Sequence, residues 1–176
     1  PRIIFDRGAG VQLFDIDGNT YYDLSSGMMS LTLGHSHPEL VETIRDMADR
    51  FVHQSSWYTN PWAIEFAELL ASTLPGDLKM TNFAVTGSEA NEIAMRMALG
   101  ATDGFDICSM VRGLHGGSLA AEAITSVGGA RRRGLGPFSI PARSNCIVPA
   151  FYYRAPVDDS DQWDEISLRM TEELIE

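Results

Sequence analysis

The chain has 176 residues and a formal net charge of −11, which repels phosphate backbones and anionic lipid, so binding driven by counterion release from nucleic acid is not expected. Hydrophobic residues at 44% with charged residues at 21% fit a soluble globular protein, and no apolar run reaches the length of a membrane span. A lone domain of this size buries roughly 70% of the surface its unfolded chain exposes, which sets the expectation of a sizeable core.

In chain order, Val11 and Leu13 alternate with Gln12, and Asp17–Gly18 is a turn signal before Thr20, Tyr21 and Tyr22, so residues 11–24 read as a hairpin. Asp15, Asp17 and Gly18 do not make a calcium loop, because the glycine comes too early and no closing glutamate follows. His35 and His37 form an H-x-H pair without the cysteine or carboxylate cluster that a metal site needs, so no metal is expected. Pro38 opens an amphipathic helix with Leu40, Val41, Ile44, Met47, Ala48 and Phe51 on one face. Asn60 before Pro61 starts a second, striped by Ala63, Phe66, Ala67, Leu70 and Leu74 and ended by Pro75–Gly76.

Residues 82–85 read as a short strand, a helix follows from about Ser88, and Ile107 to Val111 reads as a second strand. That order is a βαβ unit and predicts a parallel sheet covered by helices. Residues 112–136 are glycine-rich and loop-like, with one short helix near Ala120 to Ile124. The basic cluster Arg131, Arg132 and Arg133 fits a solvated loop, or an anion or subunit contact. Cys108 and Cys146 lie in apolar surroundings and fit buried thiols in a reducing compartment, the cytoplasm by default. From Asp164 onward, Ile166, Met170 and Leu174 have helical spacing. Glu172, Glu173 and Glu176 then put negative charge at the unfavourable end of the helix dipole, so the helix is expected to continue past Glu176.

The sharpest chemical signal is Thr86, Gly87, Ser88, Glu89, Ala90, Asn91 between a strand and a helix whose inner face reads Ala90, Ile93, Ala94, Met97 and Ala98. Free amides at a helix start, a glycine permitting close approach, and two hydroxyls suit a phosphate. Thr86 with Glu89 also fits a capping box, and both readings stand on the segment alone. Neither G-K-[ST] nor G-x-G-x-x-G occurs, so any phosphate here belongs to a small cofactor. A serine hydrolase reading of His115, Gly116, Gly117 and Ser118 fails because oxyanion string and nucleophile elbow would overlap.

The order GVQLFDIDGNTYYDLSSG, LGHSHPEL, TGSEANEIAMRMA and LHGGSLAA resembles the class III aminotransferases over almost the whole chain. GARRRGLGPFSIPA and FYYRAP look most like the dialkylglycine decarboxylase branch. The resemblance implies an α/β pyridoxal-phosphate (PLP) transferase fold of type I, present as its N-terminal part. Residues 1–55 would be the hairpin and helix of the small-domain side, and residues 56–176 the first part of the large mixed-sheet cofactor-binding domain.

It also implies pyridoxal 5'-phosphate as cofactor, its phosphate held at Gly87 and Ser88 with Thr86 beside them and Asn91 just inside the helix. A flat side chain stacks on the ring at the position of Leu114, next to His115; leucine there substitutes aliphatic contact for π stacking. Acetylornithine-specific members have an arginine where this chain has Gly117. The decarboxylase branch has a glutamine at Met28, so methionine favours plain amino transfer over decarboxylation-dependent transfer. Trp57 and Tyr58 match the site entrance and would shape the amine pocket, or else form an aromatic pair before a helix. The implied reaction moves an amino group from an amine or amino acid to a keto acid, in a homodimer.

PLP chemistry also needs a Schiff-base lysine and a carboxylate for the ring nitrogen. The sole lysine, Lys79, lies where the family has surface residues, so the 176 residues alone are expected to be inactive, with no catalytic residue among them. The alternative from another class is a non-catalytic binding or interaction module.

Overall fold

The computed structural model describes residues 2–127, 147–149 and 151–175; Arg131 to Arg133, Cys146 and the segment GARRRGLGPFSIPA lie outside the described residues. The chain forms two compact units, Pro1–Lys79 and Met80–Glu176.

In the first unit the expected hairpin is present and gains a third strand. β1 (Phe5–Ala9), β2 (Gln12–Asp15) and β3 (Thr20–Tyr22) form an antiparallel sheet in that order, with Leu13 opposite Gly8 and Tyr21. The turn between β2 and β3 is organised by Asp15. Its Oδ1 accepts from the amides of Asp17 (3.1 Å) and Asn19 (2.8 Å), and its Oδ2 from the Asn19 side chain and the Tyr21 hydroxyl, both at 2.9 Å. These bonds, the Asn19 side chain foremost, hold the Asp15 carboxyl below its ordinary range. Gly18 supplies the positive φ, 85°, that the turn needs.

A short helical turn, α1 (Ser26–Met29), precedes α2 (Pro38–Arg50) and α3 (Pro61–Thr73). Proline opens α2 and α3, where its missing N–H is no loss. Asn60 caps α3 by accepting from Ala63 N at 2.9 Å. Phe51 is the residue that ends α2 rather than part of its stripe, and α3 stops at Leu74, just ahead of Pro75. Leu40 and Ile44 on α2 and Phe66 on α3 remain exposed, while Val41, Met47, Ala63, Ala67 and Leu70 are half-buried, so the apolar faces of both helices are only partly covered.

The second unit holds α4 (Gly87–Thr102), α5 (Leu119–Ala123) and α6 (Ser160–Ile175). Among the described residues of this unit, Met95, Ala121, Ala123, Ile124 and Trp163 are the buried apolar ones. Among the described residues the expected βαβ unit is visible only in part: residues 82–85 carry no strand, and the 107–111 run pairs through a parallel bridge between Met110 and Ile147. An apolar run becomes a strand only where a neighbour supplies the ladder, and among the described residues only Ile147 does so. That run still alternates: Ser109 points inward and donates to Ile124 O at 3.0 Å, which turns Cys108 outward, exposed rather than buried as expected.

Two helix faces also differ from the expectation. α4 packs within its unit through Ser88, Asn91, Glu92, Met95 and Leu99, a stripe at helical spacing, while Ala90, Ala94, Met97 and Ala98 are exposed. On α6 the packed stripe is Trp163, Ile166, Ser167 and Thr171, and Met170 and Leu174 are exposed. Packing selected the face that meets a neighbour, which in α4 is polar over its first turns, at Ser88, Asn91 and Glu92, and apolar beyond, at Met95 and Leu99. No helix among the described residues is long and apolar enough to cross a membrane.

Candidate functional site

The start of α4 is built by its own side chains. Thr86 is in extended conformation, and its Oγ1 accepts from Glu89 N at 3.2 Å. Glu89 reaches back and its Oε2 accepts from Val85 N at 2.8 Å. The capping box is therefore formed, shifted one residue outward from its usual backbone partner. It occupies the amides of Val85 and Glu89. Those of Gly87 and Ser88 lie in the first turn, where helix geometry provides no intrahelical acceptor. A Cβ placed on Gly87 meets no atom within 4 Å, so this side of the turn is open.

One face of α4 then grips the 115–120 segment at successive points. Ser88 Oγ accepts from Gly117 N at 3.0 Å, Asn91 Nδ2 donates to His115 O at 2.6 Å, and Glu92 Oε1 accepts from Ala120 N at 3.2 Å. From the opposite side Thr125, 1% exposed, accepts from His115 N at 2.9 Å and donates to Ala121 O at 2.8 Å. Gly116 crosses Ser88 so closely that an added Cβ would overlap its hydroxyl and lie 2.7 Å from its Cβ, with φ at +141°. Glu92 is held below its ordinary carboxylate range, first by the Ser118 hydroxyl and then by the amides of Ala120 and Ala121. Ser118 stands at the N-cap position of α5 beside the Glu92 carboxylate, its side chain making no cap hydrogen bond.

The structure brings Thr86, Gly87, Ser88, Asn91 and His115 into one hydrogen-bonded assembly, with Leu114 adjoining and 51% exposed. His115 Nε2 is buried with no partner among the described residues. First-turn amides, a hydroxyl and open space over Gly87 are the donor set a phosphate ester requires, so the residues present fit pyridoxal phosphate. The T-x-x-E motif made Thr86 and Glu89 legible in advance. Glu92, Thr125 and the closeness of Gly116 were missed, although Ser88, Asn91 and Glu92 at i, i+3, i+4 were a signal for one polar face.

Met28, Trp57 and Tyr58 lie in the first unit. Met28 is exposed within α1, whose Ser26, Gly27 and Met29 have φ values of 51°, 70° and 61°. That irregular turn is held by Asp23, which sequence reasoning overlooked. Its carboxylate accepts from Gly27 N (2.7 Å), Ser25 N (3.0 Å), Ser25 Oγ (3.1 Å) and His35 Nε2 (2.8 Å). The Gly27 amide, His35 and the Ser25 amide lower its pKa to about 2. Trp57 and Tyr58 are exposed in a turn around Ser55, whose Oγ and O accept from their respective amides at 3.3 and 3.1 Å. Lys79 is exposed and pairs with Asp77 at 3.0 Å.

Among solved structures, an (S)-enantioselective omega-transaminase from Thermomicrobium roseum matches 99% of this chain and 40% of its own, with TM-score 0.87 and 27% identity. A taurine:2-oxoglutarate aminotransferase from Bifidobacterium kashiwanohense, solved with PLP and glutamate, matches 98% and 39%, with TM-score 0.84 and 26% identity. The fold is thus that of the type I PLP-dependent transaminases. The family model described as Aminotransferase class-III matches residues 1–176, and the chain belongs to that family. An aminotransferase of Schizosaccharomyces pombe is 37% identical over 154 residues, 85% of this chain and 34% of that protein. The mitochondrial alanine–glyoxylate aminotransferase 2 of Homo sapiens is 36% identical over 126 residues, 72% of this chain and 24% of that protein. The chain thus spans about a quarter to two fifths of the length of these relatives.

Proposed function

We propose that an intact enzyme carrying this segment transfers an amino group between an amine or amino acid and a keto acid, using pyridoxal 5'-phosphate. One observation carries the reading: the α4 cap occupies the amides of Val85 and Glu89, while Gly87 and Ser88 present theirs beside open space. The bound cofactor supplies an aldehyde that takes up the amino group and a ring that withdraws electrons from the substrate carbon. The chain's own residues supply the anchorage. Thr86, Gly87 and Ser88 take the phosphate, with the positive end of the α4 dipole contributing up to ~2 kcal/mol per charge in a partly buried site. Ser88 Oγ accepts from Gly117 N, which leaves its own proton to donate. Leu114 and His115 meet the ring, and Asn91 completes the assembly.

In the first unit, Met28, Trp57 and Tyr58 are proposed for the amine pocket, supported by their place in the matched motifs and their exposure. Methionine rather than glutamine at position 28 supports amino transfer over the decarboxylating variant of the reaction. The exposed apolar residues of α2 and α3 are consistent with a homodimer in which further elements cover them. The 176 residues alone are proposed to be inactive, because the exposed, Asp77-paired Lys79 is their sole lysine.

The test is spectroscopic. The intact enzyme supplied with the cofactor should show a visible absorption band that borohydride reduction removes, and Gly87→Asp, which puts a carboxylate into the open space, should abolish it. Absence of the band in the unaltered protein overturns the reading.

A further inference from the structure

Three side chains on one face of α4 hold the 115–120 segment, but they do so with different chemistry. Ser88 and Glu92 accept from amides of that segment, whereas Asn91 donates, through Nδ2, to the carbonyl of His115 at 2.6 Å. The amide of the same residue donates to Thr125 Oγ1 at 2.9 Å, and Thr125 is buried. Both polar backbone groups of His115 are therefore tied down, one by Asn91 and one by Thr125. The peptide joining Leu114 to His115 is the one whose N–H meets Thr125, so the Cα of Leu114 lies two bonds from the clamped nitrogen. A carbonyl that has lost its partner in a half-buried site is costly to leave unpaired, so loss of the Asn91 donor releases one of the two ties on His115.

We infer that Asn91 is a positioning residue: it fixes the height of Leu114 and His115 over the α4 start, and it does not itself touch the phosphate. The inference rests on the proposal that the phosphate docks at Gly87 and Ser88. It separates two roles that residues so close in sequence would otherwise share. A phosphate ligand discriminates between a phosphorylated ring and a bare one, and a residue that sets the ring contact serves both alike.

The experiment uses the intact enzyme, with pyridoxamine 5'-phosphate and pyridoxamine as probes, since neither needs a lysine to bind. Dissociation constants are measured by ring fluorescence for wild type, Asn91→Ala and the nearly isosteric, uncharged Asn91→Leu. Both variants should weaken both probes by the same factor, about tenfold for one lost hydrogen bond in a half-buried site. In a Leu114→Ala background the Asn91→Leu effect should shrink to about threefold or less, the non-additivity expected of residues acting through one contact. Loss confined to the phosphorylated probe would make Asn91 a phosphate ligand and overturn the inference, as would unchanged affinity for both. Full additivity with Leu114→Ala would overturn it independently, in whichever variant folds. A wild-type protein that binds both probes equally tightly defeats the phosphate cradle itself, a result distinct from any change at Asn91.

Discussion

Asp23 and His35 are joined at 2.8 Å, and the Asp23 oxygen that accepts from the ring, Oδ2, also accepts from the Gly27 amide at 2.7 Å. One carboxylate therefore ties the α1 turn that displays Met28 to the residue that pairs with Gly10 on the edge of the small sheet.

The first prediction concerns acid. The Asp23 pKa falls from 3.8 to about 2 in the folded chain, a depressed carboxylate. Its stabilising contribution is complete above about 3.8 and is lost as pH falls through about 2. Asp23→Asn should lower the unfolding midpoint near neutral pH, and the gap to wild type should narrow as pH drops across that window. A gap that widens with acid would contradict the assignment.

Gly116 and Gly117 offer a paired test. Alanine at 116 meets Ser88 and takes a φ of +141°, so overpacking and backbone strain should together cost about 2–4 kcal/mol. Alanine at 117 meets nothing within 4 Å and should shift stability by less than about 0.5 kcal/mol. Denaturant midpoints of the two variants decide it, and equal losses would show that the crossing over Ser88 is not close.

Thr86 should reveal its cap by substitution. Thr86→Ala removes the acceptor for Glu89 N and should cost about 1 kcal/mol, whereas Thr86→Ser keeps it and should stay within a few tenths. Chemical denaturation followed by helix circular dichroism distinguishes the two.

Leu114 is half exposed, so a larger ring has room there. Leu114→Trp in the intact enzyme should tighten cofactor binding by about 0.5–1.5 kcal/mol, roughly twofold to tenfold, through aromatic stacking. Titration with pyridoxamine 5'-phosphate measures this, and an unchanged affinity would mean the ring does not lie over position 114.

Local chemistry was legible in the sequence wherever a residue acts on its near neighbours. Asn60 and Thr86 as caps, Pro38 and Pro61 at helix starts, and Gly18 in its turn all work within four residues. What was not legible depends on partners far along the chain. The run at 82–85 has strand composition but no ladder neighbour among the described residues. α4 turns Ser88, Asn91 and Glu92 inward because the 115–120 backbone offers them partners 24 to 29 residues away, and a hydrophobicity stripe carries no record of those bonds. Of the candidate site, Thr86 through Ser88 could be read directly, while Thr125 and Gly116 acquire meaning only once the loop is folded back.

The self-made cap of α4 has a consequence for recognition. Thr86 and Glu89 order the first turn through their own bonds, so an anion docking there, as the proposed function has it, would find the turn already formed. Docking would then draw little on conformational entropy, and more of the intrinsic attraction would be retained as affinity. On that proposal the segment is a preorganised receptor, open where Gly87 carries no side chain.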